Sequence, residues 1–423
     1  MQTTANAIDT AFDIGWVRNQ FPSLTQTVNG HPAAFLDGPG GTQVPQRVID
    51  AVSNYLQQSN ANTGGAYATS RRTDAMIAAA RSAVADFLGC DPDEIVFGPN
   101  MTTLTYDISR SIGRELGPGN EIVLTHLDHD ANVSPWRALE EAGATVRFVD
   151  VNESDCTLDI RDMRAKISGH TRLVAVGYAS NAVGTINPVK EIVQLAHQAG
   201  AKAYIDAVHY APHGPIDVRS LDCDFLVCST YKFFGPHMGV LYGKREHLQR
   251  LRPYKVRANT DAVPNRWEWG TLNHECLAGI VACIEYWEEL GRHMRPGVSS
   301  RREAILAAHE AIDAYERGLM ERLMKGLARI SGVKVYGITD PRRFAERAPT
   351  IALRMDRHTP LQIATFLGER GMFTWDGNYY ALNLTERLDV ERSGGFLRIG
   401  LVHYNTVDEV DRLLDALVEI AGS

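Results

Sequence analysis

A chain of 423 residues, 44% hydrophobic and 22% charged, is too long for one small core and too apolar to be disordered or fibrous, so two globular domains are expected. Its formal net charge of -8 argues against nucleic acid as the main partner, because phosphate backbones require a basic surface. No secretory leader and no unbroken apolar run of bilayer-spanning length is present, so a cytoplasmic protein without a membrane partner is expected.

In chain order, a glycine run comes first, DGPGGT at 37–42. It has neither the lysine of a phosphate-binding loop nor dinucleotide spacing, and reads as a tight turn. Between Asp74 and Gly89 the segment AMIAAARSAVADFL has helical spacing, and EIVFG follows it as a strand. GPNMTTLTYDIS then opens a helix, with Thr102 or Thr103 able to cap it or to meet a phosphate. The alternation continues through NEIVL, PWRALEEAG, TVRFVDV, LDIRDMRAKI, TRLVAVGYAS, VKEIVQLAHQAG, AKAYIDA and CDFLVCST. Its strands are short apolar runs without clean alternation, as expected where both faces are covered, so the fold class is α/β with a mostly parallel sheet. Around 285–330 the pattern becomes long, charged and helical, and a smaller α+β unit with strands near VKVYGI, TIALRM and FLRIGLV follows. The division expected is an N-terminal segment 1–30, a large unit 31–290 and a small unit 291–423.

The sharpest chemical signal is a strand ending at Asp206, followed by a second that ends at Lys232. In an open parallel sheet ligands lie outside the carboxyl ends of the strands, so this pair can face one pocket. That is where a pyridoxal enzyme needs a lysine amine for a Schiff base and a carboxylate to keep the ring nitrogen protonated. Taken singly, both are also ordinary strand-end residues. His129 stands at a third strand end, suited to lying flat on a cofactor ring. The cluster His126, Asp128, His129 and Asp130 invites a metal reading, but neighbours along extended chain point to opposite sides and no third ligand group stands out, so no metal is expected. The six cysteines have no CxxC spacing and read as small buried residues.

These motifs, in this order from FLDGPGGT to FLRIGLVHYNT, resemble the class V aminotransferase and cysteine desulfurase family of pyridoxal-phosphate enzymes. The resemblance implies fold type I architecture, a large seven-stranded domain with a small C-terminal one, and a homodimer with a shared active site. It implies that His129 stacks on the pyridine ring, that Met101 (through its amide) and Thr102 meet the phosphate, and that Asn181 lies near the cofactor's 3-oxygen and the substrate. Asp206 then pairs with the ring nitrogen, and His209 stands where desulfurases usually have glutamine. Ser229 and Tyr231 become phosphate ligands, Tyr231 replacing a frequent histidine. Lys232 bonds the cofactor, Thr271 reaches the phosphate of the neighbouring subunit, and Arg398 clamps a substrate carboxylate.

One departure bears on the reaction. Desulfurases carry sulfur on a mobile cysteine of the small domain, whereas the aligned stretch MFTWDGNYYALNL has none and every cysteine lies at or before Cys283. A persulfide relay of the usual kind is therefore not expected. Transamination or C–S/C–Se β-elimination on a small amino acid fits, as does racemisation or epimerisation on the same fold, with Asp376, Tyr379 and Tyr380 as candidates for selecting the substrate. A non-catalytic scaffold and a metal-dependent hydrolase are the alternatives of a different class.

Overall fold

The computed structural model describes residues 12–422. The apolar runs form a seven-stranded sheet of β1 (Ile95–Gly98), β2 (Glu121–Thr125), β3 (Thr145–Val149), β4 (Thr171–Gly177), β5 (Lys202–Asp206), β6 (Phe225–Ser229) and β7 (Gly239–Gly243). Their spatial order is β1-β7-β6-β5-β4-β2-β3. Neighbours from β6 to β3 pair in parallel, while β7 is antiparallel to both β6 and β1. Six strands thus run one way and align their carboxyl ends along one edge. The missing apolar–polar alternation has a direct cause: in β5, Ala203 and Ile205 join one core while Tyr204 joins the other. Both faces are covered, so the central positions Ala203, Tyr204 and Ile205 are all apolar. The antiparallel β7 was not among the strands read from sequence, because GVLYG follows β6 too closely to allow a crossover helix and carries no signal of direction.

Helices α1 (Gln46–Gln58), α2 (Ala68–Leu88) and α3 (Met101–Gly113) precede or follow β1, and α4 (His274–Met294) packs on α1 and α2. The helical stretch expected near 285–330 is two helices, α4 and α5 (Arg301–Leu327), packed on one another. The break falls at RPGVSS, where Pro296 and Gly297 (φ +94°) end one helix and Ser300 caps the next. PWRALEEAG is likewise broken, into a short helix at Ser134–Arg137 and a 3₁₀ segment at Ala138–Ala142.

A second sheet is antiparallel throughout, with β8 (Val333–Tyr336), β9 (Thr350–Met355), β10 (Trp375–Gly377) and β11 (Phe396–Gly400) in the order β8-β9-β11-β10. Helix α6 (Val407–Ala421) carries a capping box, Thr406 with Glu409, and packs on α5. Beside this sheet, Ala34–Phe35 from the start of the chain pairs in parallel with Met372–Phe373. Among the described residues no helix is long and apolar enough to cross a membrane.

Candidate active site

The carboxyl edge of the large sheet delivers side chains to one cavity of about 230 Å³. From β1 a short link reaches Asn100, whose Oδ1 accepts the Thr103 amide at 2.8 Å and caps α3. The cap is therefore Asn100 and neither of the threonines. The Met101 amide donates to Ser229 Oγ at 3.1 Å, and the Thr102 amide has no acceptor among the described residues. Gly239 on β7 lies beneath this helix start: a Cβ there would fall 2.4 Å from the Asn100 carbonyl carbon. The missing side chain is what lets the positive end of the helix dipole reach the cavity.

From β2 the chain turns through Asp128, whose carboxylate accepts from Thr125 Oγ and, at 3.0 Å, from Asn132 Nδ2. Burial raises Asp128 to about 7. His129 follows, its Nδ1 accepting the Ala131 amide at 3.0 Å, so the neutral ring carries its proton on Nε2. Burial, and then the charges of Lys232 and Arg398, lower its pKa to about 4, and the ring is neutral at pH 7. It stacks on Tyr380 with centroids 5.4 Å apart. The other members of the acidic–histidine cluster diverge, His126 stacking on Phe148 and Asp130 accepting from Ser134 Oγ at 2.7 Å. Among the described residues, no three His, Cys, Asp or Glu side chains gather as metal ligands.

Asp206 is the last residue of β5 and 6% exposed. One oxygen accepts the Val208 amide at 2.9 Å, and the other has no donor among the described residues. Burial raises this carboxyl to about 6, against the opposing pull of the Val208 amide and Lys232. β6 ends at Ser229, so Lys232 is not on the strand as expected but closes a 3₁₀ turn, Thr230–Lys232. The chain must reverse here into the antiparallel β7, and Thr230 holds the reversal by bonding to Pro236 and Met238. Lys232 Nζ donates to the Pro39 carbonyl. Its pKa falls to about 7, chiefly through burial and next through the Arg398 cation, with Asp206 and Asp37 acting the other way. Tyr231 stacks on His237 at 4.7 Å.

The second sheet supplies Arg398 from β11, 3% exposed. Its Nη1 donates to the Asn181 carbonyl at 2.9 Å, its guanidinium lies 4.1 Å from the Tyr379 ring centre, and its Nε has no partner among the described residues. No carboxylate among the described residues forms an ion pair with it, and burial lowers its pKa to about 10. Asn181 Nδ2 donates to the Tyr379 carbonyl at 2.9 Å. His209 Nε2 bonds Thr350 Oγ at 3.0 Å, held well below its ordinary pKa by burial.

Of the side chains singled out from sequence for cofactor or substrate, Met101, Thr102, His129, Asn181, Asp206, His209, Ser229, Tyr231, Lys232, Tyr379, Tyr380 and Arg398 line this cavity, whereas Thr103, His126, Asp130 and Asp376 do not; Thr271 is exposed and outside its wall. The wall also contains Pro39, Gly40, Ser180, Asn187 and Trp375, which sequence reasoning missed. The glycine density of DGPGGT was the available signal for the first two, since close backbone approach is what glycine permits. Asn187, whose Nδ2 donates to the Gly177 carbonyl at 2.8 Å, left no signal. All six cysteines are described and none lines the cavity.

A profile of the family described as Aminotransferase class-V matches residues 34–413. The chain is 34% identical over 427 aligned positions to a cysteine desulfurase of Serratia proteamaculans (strain 568), covering 97% of this chain and 98% of the relative. Two solved structures superpose closely: an apo cysteine desulfurase from Thermococcus onnurineus NA1 (TM-score 0.83, 26% identity, 95% and 98% coverage) and an Escherichia coli cysteine desulfurase in S-sulfonic acid form (TM-score 0.82, 26% identity, 97% and 98% coverage). With its seven-stranded sheet and this extent of similarity, the chain belongs to the class V aminotransferase family and is a pyridoxal-phosphate-dependent enzyme, a transferase or lyase of fold type I.

Proposed function

We propose that the chain holds pyridoxal 5′-phosphate through Lys232 and transforms a small amino acid, by transamination or by β-elimination of a C–S or C–Se bond, with no cysteine of the enzyme taking part. The observation that carries this reading is a single cavity wall containing Lys232, Asp206 and Arg398 and no thiol. The residues fit the cofactor. The Thr102 amide at the start of α3, with the hydroxyls of Thr102 and Ser229 and the side chain of Tyr231, suits a phosphate. The undonated oxygen of Asp206 suits a ring N–H, and the neutral ring of His129 suits a flat aromatic neighbour. Asn181 and His209 remain for the 3-oxygen. When bound, the cofactor supplies an electron-withdrawing ring that makes the substrate's α-proton acidic.

The chain's own side chains do the rest. Arg398 offers a planar fork to the substrate carboxylate, and the Asn181 carbonyl and the Tyr379 ring fix the plane of that fork. Lys232 Nζ, with its pKa near 7, exists partly as the free amine at neutral pH and can take the proton from the α-carbon. Tyr380 over His129 and Trp375 against Gly40 narrow the mouth and restrict water. Relatives named cysteine desulfurase support a small sulfur-bearing substrate, while Asn378, Tyr379 and Tyr380 occupy the stretch where a persulfide carrier would stand. The same proposal includes a cytoplasmic homodimer in which Thr271 of the partner subunit completes the phosphate site, and the division at about residue 290. The shared phosphate site is supported by the exposed position of Thr271 outside the cavity wall.

The test is chemical. The full chain loaded with pyridoxal phosphate should be yellow, lose its colour on borohydride reduction, and carry the reduced adduct on Lys232 by peptide mapping. Small amino acids that shift the visible band are then incubated with it, and keto acid is measured against sulfide or selenide. An adduct on another lysine, or no adduct, sinks the assignment.

A further inference from the structure

The loop Asp37–Thr42 spans the two elements that bring Lys232 and Arg398 to the cavity. On one side the Gly400 amide at the end of β11 donates to the Leu36 carbonyl at 2.7 Å, and Asp37 forms a parallel bridge with Gly400. On the other side the Thr42 amide donates to the Tyr231 carbonyl at 3.0 Å and the Phe234 amide donates to Thr42 Oγ at 2.8 Å, so the loop brackets Lys232. Between these anchors the Pro39 carbonyl accepts from Lys232 Nζ. Asp37 carries a buried Oδ1 with no hydrogen-bond partner among the described residues. Its carboxylate interacts with the charges of both Arg398 and Lys232, and Tyr404 is the further titratable group that faces it. Neither cation forms an ion pair with any carboxylate of the described residues.

We propose that Asp37 is a positioning residue that holds the freed Lys232 amine and the Arg398 guanidinium in one cavity, its carboxylate balancing the two cations while the Pro39 carbonyl receives the lysine. The inference rests on Lys232 being the lysine that bonds the cofactor. Two cations withdrawn from bulk water, Arg398 buried and Lys232 half-buried, repel each other and favour loss of a proton from the weaker one, the lysine. An ionised Asp37 opposes that loss alongside Asp206, the stronger influence on Lys232, and the two carboxylates keep Lys232 in the range where it both takes and returns a proton near pH 7. Burial raises Asp37 itself to about 6, so the balance operates above that pH. A substrate carboxylate on Arg398 takes over part of the same role, so Asp37 and substrate compete for one positive field.

The experiment measures the titration of Lys232 in the full chain before cofactor is added, by competitive acetylation across pH with peptide mapping, in wild type, Asp37→Asn and Asp37→Glu. The Asn variant is expected to lower the labelling midpoint of Lys232 by about one pH unit, and the Glu variant to keep it near the wild-type value. After loading, Asp37→Asn should lower kcat without raising the KM of the amino-acid substrate, whereas loss of a merely structural loop would raise KM. If the amide variant does not fold, Asp37→Ser removes the same charge with less bulk and is read in the same way. An unchanged midpoint in a folded uncharged variant, with the borohydride adduct still on Lys232, overturns the role of Asp37 and leaves the cofactor assignment standing. An adduct elsewhere in wild type overturns both.

Discussion

Asp206 is buried and Lys232 half-buried, and both are shifted towards neutrality by the same cause: removal from water without a full set of partners. For Asp206 the incomplete set is informative, since its second oxygen waits for a donor that the described residues do not provide. Asp206→Asn keeps the shape and removes the charge, so we expect weaker retention of pyridoxal phosphate and turnover lower by roughly 10²-fold or more. Equilibrium dialysis and steady-state rates check this, and wild-type values for both would mean that another group holds the ring nitrogen. For Lys232 the shift is also a statement about stability. Its folded pKa of about 7 lies below the ordinary 10.5, so between these values the unfolded chain binds the extra proton and stability rises with pH. The penalty is complete below about pH 7 and is relieved as pH climbs towards the ordinary value. In the cofactor-free full chain, Lys232→Met should therefore be more stable than wild type at pH 6, by on the order of a few kcal/mol, and the gap should shrink by pH 9. Urea melts at the two pH values measure it, and a gap independent of pH would contradict the half-buried, depressed lysine.

At the scale of elements, the site depends on where chains approach closely. Gly400 ends β11, and a Cβ there would lie 1.9 Å from Pro39 Cδ, so the loop that meets Lys232 and the strand that carries Arg398 fit only because that carbon is missing. Gly400→Ala should cost about 1–3 kcal/mol and should also weaken substrate binding, because the ring of Pro39 cannot yield without shifting its carbonyl from Lys232. Chemical denaturation together with KM tests the coupling; a stability loss with unchanged KM would separate the two. This is also where the sequence was least legible. Strand ends such as Asp206, and the helix following EIVFG, were readable from hydrophobic runs and turn residues, because those signals are local. The cap at Asn100 was misplaced by two or three residues, since serine, threonine and asparagine all cap and their order alone does not rank them. Trp375 and Asp37 were missed as parts of the site because their neighbours there come from distant segments. The TWDG stretch reads as a loop until β11 pairs with it, and DGPGGT reads as a turn until Lys232 is found against it.

For the molecule as a whole, the thiols lie apart from the chemistry. Cys223, Cys228 and Cys283 are fully buried with pKa values raised by burial, and Cys283 Sγ donates to the Phe233 carbonyl at 3.2 Å. Such thiols pack and do not act as nucleophiles. Replacing all six by alanine or serine should cost stability, about 1 kcal/mol or more per buried site, yet leave the rate of the folded enzyme within about twofold of wild type, against the losses of 10² or more expected for a catalytic group. A collapse of turnover with the visible band preserved, or an alkylation-trapped persulfide on the wild-type protein, would make this a desulfurase of the usual kind.

The pairing of Ala34–Phe35 with Met372–Phe373, reinforced by Asn405 donating to the Phe35 carbonyl across 370 residues of sequence, bears on synthesis at the ribosome. A nascent chain can complete the large sheet, with Asp206 and Lys232 at its edge, before the strand that anchors residues 34–42 has emerged. Until then the loop that receives Lys232 is held only at its Thr42 end. Contacts this distant in sequence close late and carry a large entropic cost. Translation therefore delivers a formed sheet first and a competent lysine last, and cofactor capture should wait for release of nearly the whole polypeptide.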